Sequence, residues 1–308
     1  MNKKDLTLNI KQLSQDLNFD LVGVASSNFN DRLAKDNFQN WIDSGYSASM
    51  HWLANRSTER KNINKYFPEV KTVLSFGYNY YTENIDNDSF KISNYAKGKD
   101  YHIVIKDKLF EILSYIKSCN ENVKYRVCVD TSPIMEKNWA QIAGLGWIGK
   151  HTNLINNNIG SWFFISEILL DIELDYDIPF SEDLCGTCTK CLDACPTDAL
   201  SPYVLDSNKC ISYLTIEHRG AIDSKLENKL DGWIYGCDIC QDVCPWNIKF
   251  SKASKEIDFY PKEEIKNNNK DDWKKITKDE FNRVFKDSAI KRTKYEGLIR
   301  NINLNSKD

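Results

Sequence analysis

The chain has 308 residues with 41 basic and 44 acidic side chains, and its 41% hydrophobic and 12% aromatic content is ample for a packed core of about two domains. A formal net charge of −3 excludes a globally basic nucleic-acid binder, so any such contact must be a local patch. No apolar run reaches the roughly 18 residues of a membrane span, and the N-terminus is amphipathic with neither an apolar signal core nor a twin arginine, so a soluble, cytosolic protein is expected.

Taken in chain order, residues 6–17 read as a helix with Ile10, Leu13 and Leu17 on one face, and residues 21–25 as a short buried strand. A second helix is predicted over 31–43, a strand over 71–81, a long amphipathic helix over 100–118 and a strand over 125–129 that ends at Asp130. Pro133 is expected to open another helix. After a glycine-rich turn, residues 144–150, a hairpin is predicted between 153–155 and 161–170 through the loop 156–160. These elements predict an α/β domain with a mixed sheet and flanking helices over residues 1–175. A small cysteine-stapled, ferredoxin-like domain is expected over 176–250. A short, basic, helical extension over 251–308 follows, with helices near 279–285 and 289–301.

The cysteines carry the chemistry. Eight of the ten lie between residues 185 and 244. The run Cys185-x2-Cys188-x2-Cys191-x3-Cys195-Pro196 has the bacterial ferredoxin spacing, in which three cysteines bind one cubane and the fourth binds another. The run Cys237-x2-Cys240-x3-Cys244-Pro245 repeats it with Ile234 in place of the first cysteine, and Cys210 is available to fill the gap. Two 4Fe-4S clusters are therefore expected: one on Cys185, Cys188, Cys191 and Cys244, the other on Cys195, Cys210, Cys237 and Cys240. Disulfides would need an oxidising compartment, and paired zinc sites do not call for this doubled pattern. Cys119 and Cys128 read as buried thiols.

About 180 residues precede this domain, and their best single candidate is Asp130, at a strand end where α/β sheets place ligands. A helix N-cap is the competing role for it. The Gly144-x-Gly146-x-x-Gly149-Lys150 run follows a helix and precedes a strand, the reverse of a dinucleotide turn, so a close approach to some other flat or anionic ligand is what stays open. His102 and His151 are candidate metal ligands weighed against hydrogen bonding, and Tyr78, Tyr80, Tyr81, Trp147, Trp162, Phe163 and Phe164 candidate cofactor walls weighed against core packing.

Several longer stretches make the chain recognisable: residues 95–102 (YAKGKDYH), 129–136 (VDTSPIME), 143–151 (AGLGWIGKH), 210–217 (CISYLTIE) and 235–247 (YGCDICQDVCPWN). With them the sequence resembles the epoxyqueuosine reductases over nearly its whole length, as a short form without the C-terminal helical-repeat module of many members. The resemblance implies a cobalamin-binding N-terminal domain and reduction of epoxyqueuosine to queuosine at the tRNA wobble position, the last step of queuosine synthesis. Electrons would pass from the clusters to cobalt. Asp130 matches the family's acid, and burial is expected to raise its carboxyl so that it keeps a proton near neutral pH. The resemblance further implies corrinoid contacts at Ser212, Arg60, Tyr95 and Asn153, and a tRNA contact at Arg219.

A patch over residues 283–300 with a net charge of +4, including Lys291, Arg292 and Lys294, suits tRNA phosphates. The expected partners are epoxyqueuosine tRNA and an electron donor of flavodoxin, ferredoxin or reductase type, with no membrane and a monomeric chain. Two other readings share part of this pattern. A corrinoid reductive dehalogenase-like enzyme would act on a small molecule, and a ferredoxin-type carrier would hold clusters without a corrinoid.

Overall fold

The computed structural model describes residues 2–83 and 89–306. Its centre is a four-stranded sheet in the order Leu21–Ser26, Thr72–Asn79, Phe163–Leu170, Tyr125–Cys128, with all three pairings antiparallel. The expected α/β domain is found, but its sheet is antiparallel where a mixed one was expected; Trp233–Tyr235 runs parallel to Lys91–Ile92 in a separate two-stranded ladder.

Alternating side chains give the sheet two apolar faces. One carries Leu74, Phe76, Ile168 and Leu170 and is covered by the helices Lys3–Asp16 and Tyr101–Cys119. The second helix buries Val104, Ile105, Leu109, Ile112, Leu113 and Ile116, a stripe at helical spacing. Asp100 caps it by accepting from the His102 amide. The other face carries Val73, Cys128, Phe163 and Leu169 beneath the helix Glu136–Ile142. Gly23 is needed here, since a Cβ would lie 2.0 Å from the Ala143 carbonyl oxygen.

Two local expectations are corrected. Pro133 does not open a helix: residues 129–135 form a turn and the helix starts at Glu136. Residues 153–155 and 161–170 do not form a hairpin. Leu154–Ile155 pairs with Trp147–Ile148, while Phe163–Leu170, buried on both faces, takes a central place in the sheet. The loop between them is still closed by a single Asn156–Gly160 bridge. The long apolar strand gains more from two eight- and four-residue partners than from a two-residue one.

The cysteine-bearing segment is built from short helices, Lys190–Asp193, Ile211–Ile216 and Ile239–Asp242. Ile234, where the missing cysteine would stand, is fully buried in the C-terminal core. Residues 251–306 fold onto this segment. Trp273, Phe281, Phe285, Ile290, Leu298 and Ile302 pack with Ile92, Ile234 and Tyr235. Capping boxes at Asn269 and Thr277 start the helices Lys270–Lys275 and Lys278–Val284. No helix among the described residues is long and apolar enough to cross a membrane.

Candidate redox active site

The eight cysteines divide around two cavities. Cys185, Cys188, Cys191 and Cys244 line one of about 310 Å³, closed by Ile155, Leu184, Trp246 and Phe250. Cys195, Cys210, Cys237 and Cys240 line part of a larger one of about 360 Å³. Four cysteines around each space match the donor count of a cubane, one thiolate for each iron. The grouping is the one expected from spacing, and it arises because Cys244 folds back to the first run and Cys195 to the second. The loop around Cys237 is tied to the N-terminal half through Asp238, which accepts from Ser93 Oγ at 2.5 Å and from the Asn94 amide at 2.6 Å.

The far wall of the larger cavity is formed by Tyr95, Tyr101, Asp130, Glu136, Phe163 and Phe164, with Ser212 beside Cys210 and Asn153 beside His151. Tyr101 is locked by stacking on Phe164, ring centroids 4.2 Å apart, and on His102 at 4.2 Å. Tyr95 packs edge-on to Tyr101 and its hydroxyl lies 3.3 Å from that of Tyr235. Of the aromatic candidates, Tyr78, Trp147 and Trp162 belong to cores, whereas Tyr80, Phe163 and Phe164 serve both core and cavity. The glycine-rich run approaches its own chain: a Cβ on Gly146 would meet the Ile155 carbonyl oxygen at 2.0 Å. Its glycines are thus explained without a ligand.

Asp130 is not an N-cap. It adopts a left-handed conformation (φ 57°), and its amide donates to Glu136 Oε1 at 2.8 Å across the turn. Its side chain opens into the cavity with 61% of its surface exposed. His102 Nε2 stands 3.6 Å from Asp130 Oδ2, and His102 Nδ1 is 2.7 Å from Asp100 Oδ1. Burial alone would lower the imidazole pKa, but the two carboxylates outweigh it and raise it to about 9. For Asp130 burial pulls upward, yet the paired His102, the Tyr101 hydroxyl and Arg292 hold the carboxyl below its ordinary value. This corrects the expectation of a raised Asp130. The raised carboxyl is its neighbour Glu136, pushed to about 8 by burial and then by the Asp130 charge.

His151 borders both cavities, accepts from the Asn153 amide on Nδ1, and leaves Nε2 buried without a hydrogen-bond partner among the described residues. Burial and then Lys137 lower its pKa to about 4, so the ring is neutral. Lys137, which sequence reasoning missed, lines the larger cavity and donates to the Thr152 carbonyl at 2.8 Å and to Asn153 Oδ1 at 3.2 Å. Arg60 is not brought to this cavity. It lines a neighbouring polar one of about 250 Å³ with Asn28, Asn62 and Asn138, its Nε buried and without a hydrogen-bond partner among the described residues. These polar atoms and aromatic walls fit a large, flat, polar-edged cofactor.

The basic C-terminal residues are placed in two ways. Arg292 forms a bidentate pair with Glu217 at 2.7 and 2.8 Å and lies over Trp52, and Arg219 donates to the carbonyls of Ile216 and Arg292. Lys291 and Lys294 are exposed. Arg219 and Lys294 share the rim of a surface hollow with His218 and Arg300.

Residues 60–131 match the family model described as Epoxyqueuosine reductase QueG, DUF1730, and residues 184–247 match the 4Fe-4S double cluster binding domain. The chain is 46% identical over 300 residues to an epoxyqueuosine reductase of Leadbetterella byssophila, covering 97% of this chain and 98% of that one. It is 36% identical to that of Aliivibrio fischeri, covering 99% and 83%. Its fold is similar to a solved epoxyqueuosine reductase with a tRNA-Tyr epoxyqueuosine-modified stem loop: TM-score 0.89, 26% identity, 99% of this chain and 81% of that one. With a catabolic reductive dehalogenase it shares the fold alone, at 19% identity and TM-score 0.50. On a 46% identical match running nearly end to end in both chains, the protein belongs to the epoxyqueuosine reductase family.

Proposed function

We propose that this oxidoreductase reduces the epoxide of epoxyqueuosine in a tRNA anticodon to the alkene of queuosine, with two electrons and two protons entering and water leaving. One observation carries the reading: the acid candidate Asp130 and the cysteines Cys195, Cys210, Cys237 and Cys240 line the same cavity. That arrangement puts an electron source and a proton source on one substrate space.

The two groups of four cysteines hold two 4Fe-4S clusters, the outer one on Cys185, Cys188, Cys191 and Cys244 receiving electrons from a flavodoxin- or ferredoxin-type donor. A corrinoid held by Tyr95, Asn153 and Ser212 would supply a cobalt centre able to take electrons singly and act on the epoxide. Asp130 donates a proton to the departing oxygen, and His102, fixed by Asp100, positions Asp130 and shares its proton. Tyr101 fixes one wall by its stacking on Phe164.

Residues 1–175 thus form the corrinoid and substrate unit, 176–250 the cluster unit and 251–308 the tRNA-facing unit. Arg219, Lys291, Arg292 and Lys294 contact tRNA phosphates, with Arg219 and Arg292 also bracing the local fold. The chain acts as a monomer in the cytoplasm.

The test is an anaerobic preparation grown with cobalamin, analysed for iron, cobalt and zinc, then assayed on epoxyqueuosine tRNA by mass spectrometry of the released nucleoside. Iron near eight per chain, as two cubanes require, with stoichiometric cobalt and formation of queuosine is expected. Iron without cobalt and no conversion would replace this reading with an electron carrier.

A further inference from the structure

Beneath the helix Glu136–Ile142 the sheet has a polar row in an otherwise apolar face. Ser75, Glu167 and Cys128 stand side by side in register across three strands. Glu167 is fully buried, and neither of its carboxyl oxygens has a hydrogen-bond partner among the described residues. A carboxylate in such a place would be strongly penalised, so Glu167 is neutral. Its carboxyl is driven well above the ordinary range by burial and then by Glu136. Phe163 and Ile165, on the same face of the strand, line the larger cavity, so Glu167 lies one step inward from it. Glu136 lies between this neutral floor and the cavity, with one carboxyl oxygen held 2.8 Å from the Asp130 amide.

The titratable groups that face Glu136 come from every surrounding element. Asp130 from the turn raises its carboxyl, Arg60 from the helix Ser57–Lys61 and Lys137 from its own helix lower it, and Glu136 in turn raises Glu167 and Cys128 in the sheet and Tyr101 in the long helix. Neither cation forms a hydrogen bond with Glu136 among the described residues. Arg60 donates to the Ile134 carbonyl and Lys137 to Thr152 and Asn153.

We propose that Glu136 is the second proton source of the site, holding one proton beside the proton shared by His102 and Asp130 and passing it to Asp130 during turnover. This rests on the epoxide-reduction reading above and deepens it. Conversion of an epoxide to an alkene breaks both carbon–oxygen bonds, takes two electrons from the clusters and consumes two protons, and the oxygen leaves as water. The His102–Asp130 pair supplies the first proton, to the oxygen as its first bond opens. Glu136 transfers the second to the emptied Asp130, which delivers it as the second bond breaks. Glu136 is left as a carboxylate and the His102–Asp130 pair one proton short, and both are reprotonated from solvent through the cavity. It acts through Asp130 and is therefore a positioning residue. Its raised pKa, near 8, agrees with this storage role.

Glu136→Gln keeps an acceptor for the Asp130 amide and removes the transferable proton, whereas Glu136→Asp retains the proton on a shorter arm. Infrared spectroscopy of the full chain should show a protonated-carboxyl band that disappears as pH rises through about 8 in the wild type and in Glu167→Gln, and that is missing in Glu136→Gln. On epoxyqueuosine tRNA, Glu136→Gln should lower kcat by about 100-fold with little change in KM, and Glu136→Asp should recover part of it. The wild-type alkaline loss of activity near pH 8 should be absent in Glu136→Gln. Wild-type turnover and an unchanged pH profile in Glu136→Gln, or an unchanged infrared titration, would overturn the proposal. A cluster- and cobalt-loaded wild type that leaves epoxyqueuosine tRNA unconverted would instead overturn the underlying reading, while the infrared arm still decides where the proton is held.

Discussion

His102 Nε2 lies 3.6 Å from Asp130 Oδ2, while its other ring nitrogen is held at 2.7 Å by Asp100. A histidine between two carboxylates is a cation near neutral pH. The candidate acid Asp130 is therefore held low beside a cationic ring, rather than keeping a raised pKa of its own.

Asp130→Asn should retain iron and cobalt and lose turnover by about 100-fold or more, the usual scale for a general acid. Metal analysis with single-turnover conversion of epoxyqueuosine tRNA checks it, and full activity would remove Asp130 from the mechanism.

His102→Asn should let the Asp130 carboxyl rise, because the largest effect holding it down is removed, but the donor proton is then lost at the carboxyl's own pKa and no longer at the imidazole's, about 9, so the alkaline side of the kcat/KM profile should move to lower pH. Stability should respond as well. The His102 pKa is raised in the fold, so its contribution is complete below the unfolded value near 6.5 and is lost as pH rises through about 9. Urea midpoints at about pH 6.5 and 9.5 should differ in the wild type more than in His102→Asn.

Cys210→Ala should leave about four irons per chain, since one cubane loses a corner while the other keeps all four. Cys244→Ala should give the same count but spare the cluster beside the substrate cavity. An unchanged count of about eight in either variant would overturn the ligand division.

Lys291→Ala with Lys294→Ala should weaken tRNA binding and reduce the salt slope by about one for each phosphate no longer neutralised, without altering the melting temperature. Arg292→Ala should also loosen the packing against Glu217 and Trp52. Equal binding across a salt series would place the tRNA elsewhere.

Trp273→Ala should destabilise the chain by about 3–5 kcal/mol, because the indole is 1% exposed in the core that joins residues 251–308 to Ile234 and Tyr235. Thermal unfolding that is unchanged would show that this segment folds apart from the cluster unit.

The sequence by itself determined the features that rest on short spacing. Helices such as Tyr101–Cys119 follow from apolar period, and the strand Thr72–Asn79 from its apolar run. The two cysteine quartets follow from ferredoxin spacing plus one deletion, a local rule in which ligand order is nearly independent of the rest of the fold. The same locality explains the failures. Phe163–Leu170 left its nearest neighbour to join strands about ninety and forty residues upstream, because only a central position buries both its faces. Arg60 went to an adjoining cavity for a related reason, the path of a short helix that no spacing encodes. Which carboxyl holds the proton was equally illegible. Asp130 and Glu136 are six residues apart in one motif, yet they shift oppositely: His102, about thirty residues upstream, holds Asp130 low against burial, whereas burial and then the Asp130 charge raise Glu136. Protonation depends on burial and on charges within a few ångströms, and only the tertiary structure decides which residues those are.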